Sequence, residues 1–344
     1  MPHPALHTAV CDLLEIDFPI LQAGMGFIAR AELAAAVSEA GGLGVIGAAT
    51  LTPDELRDDI RKVRERTQRP FGVDILFAAP LRRSDASRAL PGGVQDLVEV
   101  VFEERVPVLV SGLGDPGPAV PRAHELGIRV LAIVGNTKNA RRVAASGVDA
   151  VIAQGYDGGG HTGRVGGVAL VPAVVDAVEV PVLAAGGIAD GRGLAAMLAM
   201  GAVGVWMGTR FVASQEAAAH ENYKQRITEI DDEGTVRTRC FSGKPARMIR
   251  NPVTEAWEDP ELQEKIAPFP QQMRVISEWL GENPYVAGRF GGKVEQGALA
   301  AGQSSVLVEE VLPAGEIVRR VIAEADATLS RLTSAVGATS QSQA

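Results

Sequence analysis

The chain has 344 residues, of which 46% are hydrophobic and only 4% aromatic. It can bury a large core built mainly from Ala, Val, Leu and Ile, the kind that lets helices approach a parallel sheet closely. The formal net charge is −9 and no concentrated basic stripe offsets it, which argues against nucleic acid as a partner.

One local basic run, Arg237, Arg239, Lys244, Arg247 and Arg250, reads as a solvated or lid segment. Cys11 and Cys240 lie far apart and neither belongs to a CxxC pair, so no metal site is expected. A reducing, cytoplasmic setting fits. The N-terminus lacks a basic-then-apolar signal pattern, and no apolar run reaches the ~18 residues of a membrane span.

In chain order, short apolar runs alternate with helical stretches. Strands are predicted over 19–25, 43–48, 71–76, 108–112, 130–134, 150–154, 182–186 and 204–208. Helices are predicted between them over 31–40, 94–104, 118–126, 137–146, 172–178 and 191–200. Thr52-Pro53-Asp54-Glu55 reads as an N-cap, a first-turn Pro and two acids that open a further helix. Strands this apolar are buried on both faces, as in parallel sheets. Eight strand–helix units predict an α/β fold, a (β/α)8 TIM barrel, over an open doubly wound sheet.

After Phe211 the pattern becomes charged and lacks strand-like runs. Helices are predicted over 217–227, 260–266 and 271–280, and a last amphipathic one over 314–332. The expected organisation is a barrel from 15–213 plus 291–332, a C-terminal helical insertion or lid over 214–290, and a disordered tail over 333–344. Oligomeric state stays open, with a homodimer as one option.

The site of such a barrel lies where its strands end. Gly186-Gly187 follows the seventh predicted strand and Gly208-Thr209 the eighth. Paired glycines expose backbone N–H groups and admit a phosphate, and these two loops are a recurring phosphate site in the fold. Thr209 adds a hydroxyl. Ala23-Gly24-Met25 after the first strand can support a flat ring. Asp74 near the end of the third either points into the mouth or caps a turn. After the sixth come Gln154, Gly159 and, within the same glycine-rich loop, His161. With an ordinary pKa near 6.5, His161 can take a proton at neutral pH and is the candidate catalytic residue. No GxGxxG fingerprint follows the first strand, so a Rossmann dinucleotide site is not expected and a single-phosphate cofactor, FMN, fits better.

The segments PILQAGM, EAGGLGVIGA, AQGYDGGGHTG, VPVLAAGGIADGRGLAAMLAMGA and GVWMGTRFVAS, in this order over residues 15–225, resemble the nitronate monooxygenase family, formerly called 2-nitropropane dioxygenases. The resemblance implies an FMN-dependent barrel enzyme. Ala23, Gly24, Met25 and Gln154 would then meet the flavin ring system. Gly186, Gly187, Gly208 and Thr209 would hold the phosphate, and Gly159 would also serve the cofactor. Ala301-Gly302-Gln303 would close over the flavin, with Gln303 at the cofactor. His161 would remove the proton α to the nitro group of a neutral nitroalkane, a step that a nitronate does not need. Electron transfer to FMN and reaction with O2 would give a carbonyl compound and nitrite.

This chain departs from the family pattern in three places. Asp157-Gly158-Gly159-Gly160-His161 replaces the usual Glu-Ala-Gly-Gly-His. Asp74 stands where Asn is more frequent, and Gly135-Asn136 where many relatives carry Lys. These changes are expected to touch the pocket rather than the phosphate cradle. Flavin-dependent enoyl-acyl-carrier-protein reductases and NAD(P)H:quinone reductases share nearly the same motifs, so reduction by NAD(P)H is the competing expectation. A barrel of the inosine-monophosphate dehydrogenase kind would need a nucleophilic Cys after a barrel strand, and neither Cys11 nor Cys240 stands there. A barrel that only binds FMN or a partner would show no turnover.

Overall fold

The computed structural model describes residues 2–77 and 92–341. Its strands in chain order are β1 (Ile20–Gln22), β2 (Gly44–Gly47), β3 (Phe71–Leu76), β4 (Val108–Leu113), β5 (Arg129–Val134), β6 (Ala150–Gln154), β7 (Gly160–His161), β8 (Val182–Ala185), β9 (Gly204–Met207), β10 (Thr235–Thr238) and β11 (Ala246–Ile249).

Eight of them form one parallel sheet in the order β1-β9-β8-β6-β5-β4-β3-β2, the eight predicted from the sequence. Its ends meet at a seam. The Leu43 N–H donates to the Ile20 carbonyl and the Gln22 N–H to the Leu43 carbonyl, both at 2.9 Å. The fully buried Gln22 amide adds two more bonds across the seam, donating to the Val45 carbonyl at 3.2 Å and accepting from the Val45 N–H at 3.0 Å. A buried amide is tolerated there because both of its ends are paired. The molecule is therefore a (β/α)8 barrel.

Alternation along each strand sends one set of side chains inward. Leu21, Val45, Val110, Leu131, Ile152, Leu183 and Trp206 fill the interior, joined by Val10, Cys11 and Leu14 of the helix Ala9–Leu14. That helix reaches the start of β9, where the Thr8 hydroxyl donates to the Val203 carbonyl, so it plugs the end of the barrel away from the site. The outward set packs on the helices. The Thr52 cap forms as expected, with its hydroxyl accepting from the Glu55 N–H and the Glu55 carboxylate accepting from the Thr52 N–H.

Three elements differ from the sequence expectation. The helix expected over 172–178 starts earlier, at Gly167, and carries Pro172 inside it. Its first N–H is capped from a distance by Asp157 Oδ2 at 2.6 Å. No local capping signal announces such a start. The last helix, Ala314–Gln341, runs beyond residue 333 into the expected tail, and residues 342–344 lie outside the described set. The segment 214–290 has the helices Glu221–Glu229, Pro260–Glu264 and Gln272–Leu280 near the predicted ones, but also the hairpin β10–β11. Each of its strands is only four residues long, too short for a clear alternation signal. A second core of Cys240, Phe241, Met248, Val253, Trp257 and Ile276 holds this segment together.

Candidate active site

A cavity of about 570 Å³ opens where the barrel strands end. That volume lies in the usual range for small-molecule sites, ~300–1,000 Å³. Ala23, Gly24, Met25, Asp74, Gln154, Gly159, His161, Gly186, Gly187, Gly208 and Thr209 all line it. Gln303 does not. Its side chain is exposed, and the neighbours Gly302 and Ser304 face the cavity instead. Gln303 serves through its backbone, whose N–H donates to the Asp157 carbonyl at 2.8 Å and ties the C-terminal segment to the glycine loop.

The wall after β8 is conformationally specialised. Gly186 and Gly187 have φ of 91° and 72°, in the left-handed region that other residues avoid. The amides of Gly186, Gly187 and Ile188 donate to no protein acceptor among the described residues. Beside them, Thr209 Oγ1 accepts from the Gly302 N–H at 2.9 Å, which leaves its own proton free to donate. Unsatisfied amides and a hydroxyl donor converging on one wall fit an anionic phosphate. Asp157 does not line the cavity. It sits behind the cradle, 3.4 Å from where a Cβ on Gly187 would lie, and spends its carboxylate on Gly167. Of this departure from the family pattern, Asp157 is thus structural, while Gly158 lines the cavity.

The His161 loop is held from two sides. Gln154 Nε2 donates to the carbonyls of Gly159 and His161, each at 3.3 Å. On the other side β7 pairs antiparallel with β11, Ala246 opposite His161 and Arg247 opposite Gly160. The buried Arg247 reinforces this contact by donating to the Tyr156 carbonyl and stacking its guanidinium 4.6 Å from the Tyr156 ring centre. The hairpin is thus continuous with the strand that carries the candidate base.

The His161 ring lies edge-on to Phe269, with centres 5.8 Å apart, and its Nε2 is 3.0 Å from Ser242 Oγ. Burial, with Lys244 and Arg289 adding repulsion, lowers its pKa to about 4. The imidazole is therefore neutral at pH 7, the form in which it can accept a proton. Asp74 is buried and points into the same cavity. A Cβ on Gly24 or Gly112 would fall 2.2 Å or 2.4 Å from it, so both positions must be glycine for the carboxyl to fit. Its Oδ1 has no hydrogen-bond partner among the described residues, and burial raises its pKa well above the ordinary value despite a backbone contact from Gly112.

Tyr223, Lys244 and Arg289 also line the cavity, and Ser242 and Phe269 contact His161 from outside the predicted set. Lys244 belongs to the basic run read as solvated. Nothing in its local spacing shows that the hairpin folds back over the mouth. Arg289 is buried and donates to the Gly26 carbonyl at 2.8 Å, bracing the turn after β1. Gly135 and Asn136 line the cavity too, so that departure does face the pocket.

The nitronate monooxygenase family model matches residues 7–324. A dehydrogenase of (3aS,4S,5R,7aS)-5-hydroxy-7a-methyl-1-oxo-octahydro-1H-indene-4-carboxyl-CoA from Mycobacterium tuberculosis is 43% identical over 74% of this chain and 69% of its own length. The solved structure of FabK from Thermotoga maritima is 40% identical, with a TM-score of 0.85 over 95% of this chain and 99% of that one. That of nitroalkane oxidase from Streptomyces ansochromogenes is 32% identical, with a TM-score of 0.82 over 94% of this chain and 100% of the other. A match that runs through every barrel strand and the segment folded over the cavity leaves one assignment: the chain belongs to the nitronate monooxygenase family, an enzyme family of flavin-dependent oxidoreductases.

Proposed function

We propose that this enzyme uses FMN and O2 to oxidise alkyl nitronates to carbonyl compounds and nitrite, and accepts neutral nitroalkanes through proton removal by His161. The observation that carries this reading is a neutral imidazole lining the same cavity as a glycine cradle with unsatisfied amides. The residues present fit FMN. Gly186, Gly187, Gly208 and Thr209 would hold its phosphate, and Ala23, Gly24, Met25, Asp74, Gln154 and Gly159 would border the rest. When bound, the flavin supplies the electron acceptor and the route to O2.

The protein's own part is positional and acid–base. The loop Gly158–His161 and the hairpin screen the cavity, while Lys244 and Arg289 place positive charge where a nitro group turns into an anionic nitronate. The test is to mix the holoenzyme with a nitronate, NADH or NADPH without oxygen and follow the flavin absorbance. Bleaching by the nitronate alone is expected, and rapid bleaching by NADH or NADPH overturns the reading. His161→Ala should retain flavin and lose turnover of neutral nitroalkanes about 10²-fold or more, with a much smaller loss on nitronates. Equal losses on both would refute the base.

A second reading, an FMN-dependent NAD(P)H oxidoreductase, is favoured by the likeness to FabK and by Lys244, a cation at the cavity able to meet a nucleotide phosphate. The same anaerobic mixing separates the two.

A further inference from the structure

Ser242 has one hydroxyl proton and several neighbours competing for it. Its Oγ lies 3.1 Å from the Lys244 carbonyl oxygen, 3.3 Å from the Lys244 backbone nitrogen and 3.0 Å from His161 Nε2. The carbonyl can only accept, and no other donor reaches it among the described residues. The Lys244 amide can only donate. If the hydroxyl gives its proton to the carbonyl, its two lone pairs remain for the Lys244 N–H and for a proton on Nε2. The Tyr285 phenol also faces Ser242. A phenol can donate or accept, but of the two oxygens only the Lys244 carbonyl makes a hydrogen bond with the Ser242 hydroxyl among the described residues, so the proton goes there.

The consequences pass to the imidazole. Nε2 is occupied as a donor, while Nδ1 makes no hydrogen bond among the described residues in a ring that lines the cavity. The edge contact with Phe269 and the Ser242 contact at Nε2 hold the ring in this orientation.

We propose that Ser242 is a positioning residue for His161: it accepts the Nε2 proton, holds the ring as the Nε2–H tautomer, and leaves the Nδ1 lone pair to take the α-proton of a neutral nitroalkane. The inference rests on the base reading given above. In the step itself the substrate C–H bond breaks, its electron pair stays on the nitroalkyl group as the nitronate, and Nδ1 becomes N–H in an imidazolium. The charged groups facing that ring are Lys244 from the hairpin loop and Arg289 from the helix Pro284–Arg289, both cations, so they disfavour the imidazolium, which returns its proton to solvent water before the next turnover.

The test is a ¹⁵N NMR spectrum of holoenzyme labelled at histidine, with His161→Gln as the assignment blank. At neutral pH, His161 is expected to show a protonated Nε2 and a bare Nδ1. A proton on Nδ1 overturns the proposal whatever the turnover experiment on His161→Ala gives, so the two readings fail separately. In kinetics, Ser242→Ala should lose about tenfold or more on neutral nitroalkanes, lose far less on nitronates, and shift the acidic limb of the kcat/KM profile, with Ser242→Thr restoring both. Equal losses on the two substrates with an unmoved limb would also overturn it.

Discussion

Asp74 and His161 face one cavity, yet their pKa values are displaced in opposite senses by the same cause. Burial disfavours the charged form of each, raising the acid and lowering the base. The consequences for stability also oppose one another. A raised carboxyl pKa means that stability is fully present below the unfolded value near ~3.9 and is lost as pH climbs through the folded value. Asp74→Asn removes that loss, so in the flavin-free protein its melting temperature should exceed the parent's at pH 8, with the gap closing near pH 4. A gap independent of pH would refute a neutral Asp74. His161 works the other way. Its stabilising share is present above pH 6.5 and disappears as pH falls through about 4. By linkage that share is up to about 3 kcal/mol. His161→Gln should therefore flatten the acid limb of a denaturation-versus-pH curve. An unchanged limb would show that the imidazole is not buried neutral.

At the scale of elements, the barrel strands were legible because each is a short apolar run closed by glycine or polar residues. The glycine loops were legible because they follow those runs in the right order. Three features were not. The early start at Gly167 depends on a carboxylate ten residues upstream, and the hairpin depends on pairing with a strand of only two residues. Ser242 reaches His161 across 81 positions. Each is a long-range contact, and no local pattern encodes it. At one position of the glycine cradle the backbone itself limits substitution. A Cβ on Gly187 would meet Asp157 behind the cradle, and the backbone there is left-handed, with φ of 72°. Gly187→Val should release FMN because the amides rotate out of line, and Gly187→Ala should weaken retention in the same direction, to a smaller extent. Stoichiometric flavin after gel filtration of the Val variant would contradict the cradle.

At the scale of the molecule, the barrel and the inserted segment are built on different contacts and meet at the His161 loop and at the turn after β1. The barrel is cross-linked by its own seam and by the terminal helix, where Glu324 accepts from the Gly191 N–H at 2.9 Å and the Gly191 Cα approaches the Ala325 backbone so closely that no side chain fits. The inserted segment has its own core, and β11 joins it to β7. Family membership and a flavin-bearing barrel were therefore readable from the motifs. The pocket is lined mainly by the barrel loops, and the segment whose sequence looked merely charged adds Tyr223, Lys244 and Arg289 to it.

The pairing of Ala246 with His161 ties backbone opening of the hairpin to the loop that carries the proposed base. In hydrogen–deuterium exchange, the peptides around residues 156–162 and 244–249 should accordingly exchange at one common rate, well below that of the exposed turn at 231–234. On the proposed base role, opening the hairpin removes one of the two supports of His161, so an open conformer should deprotonate neutral nitroalkanes more slowly than the closed one.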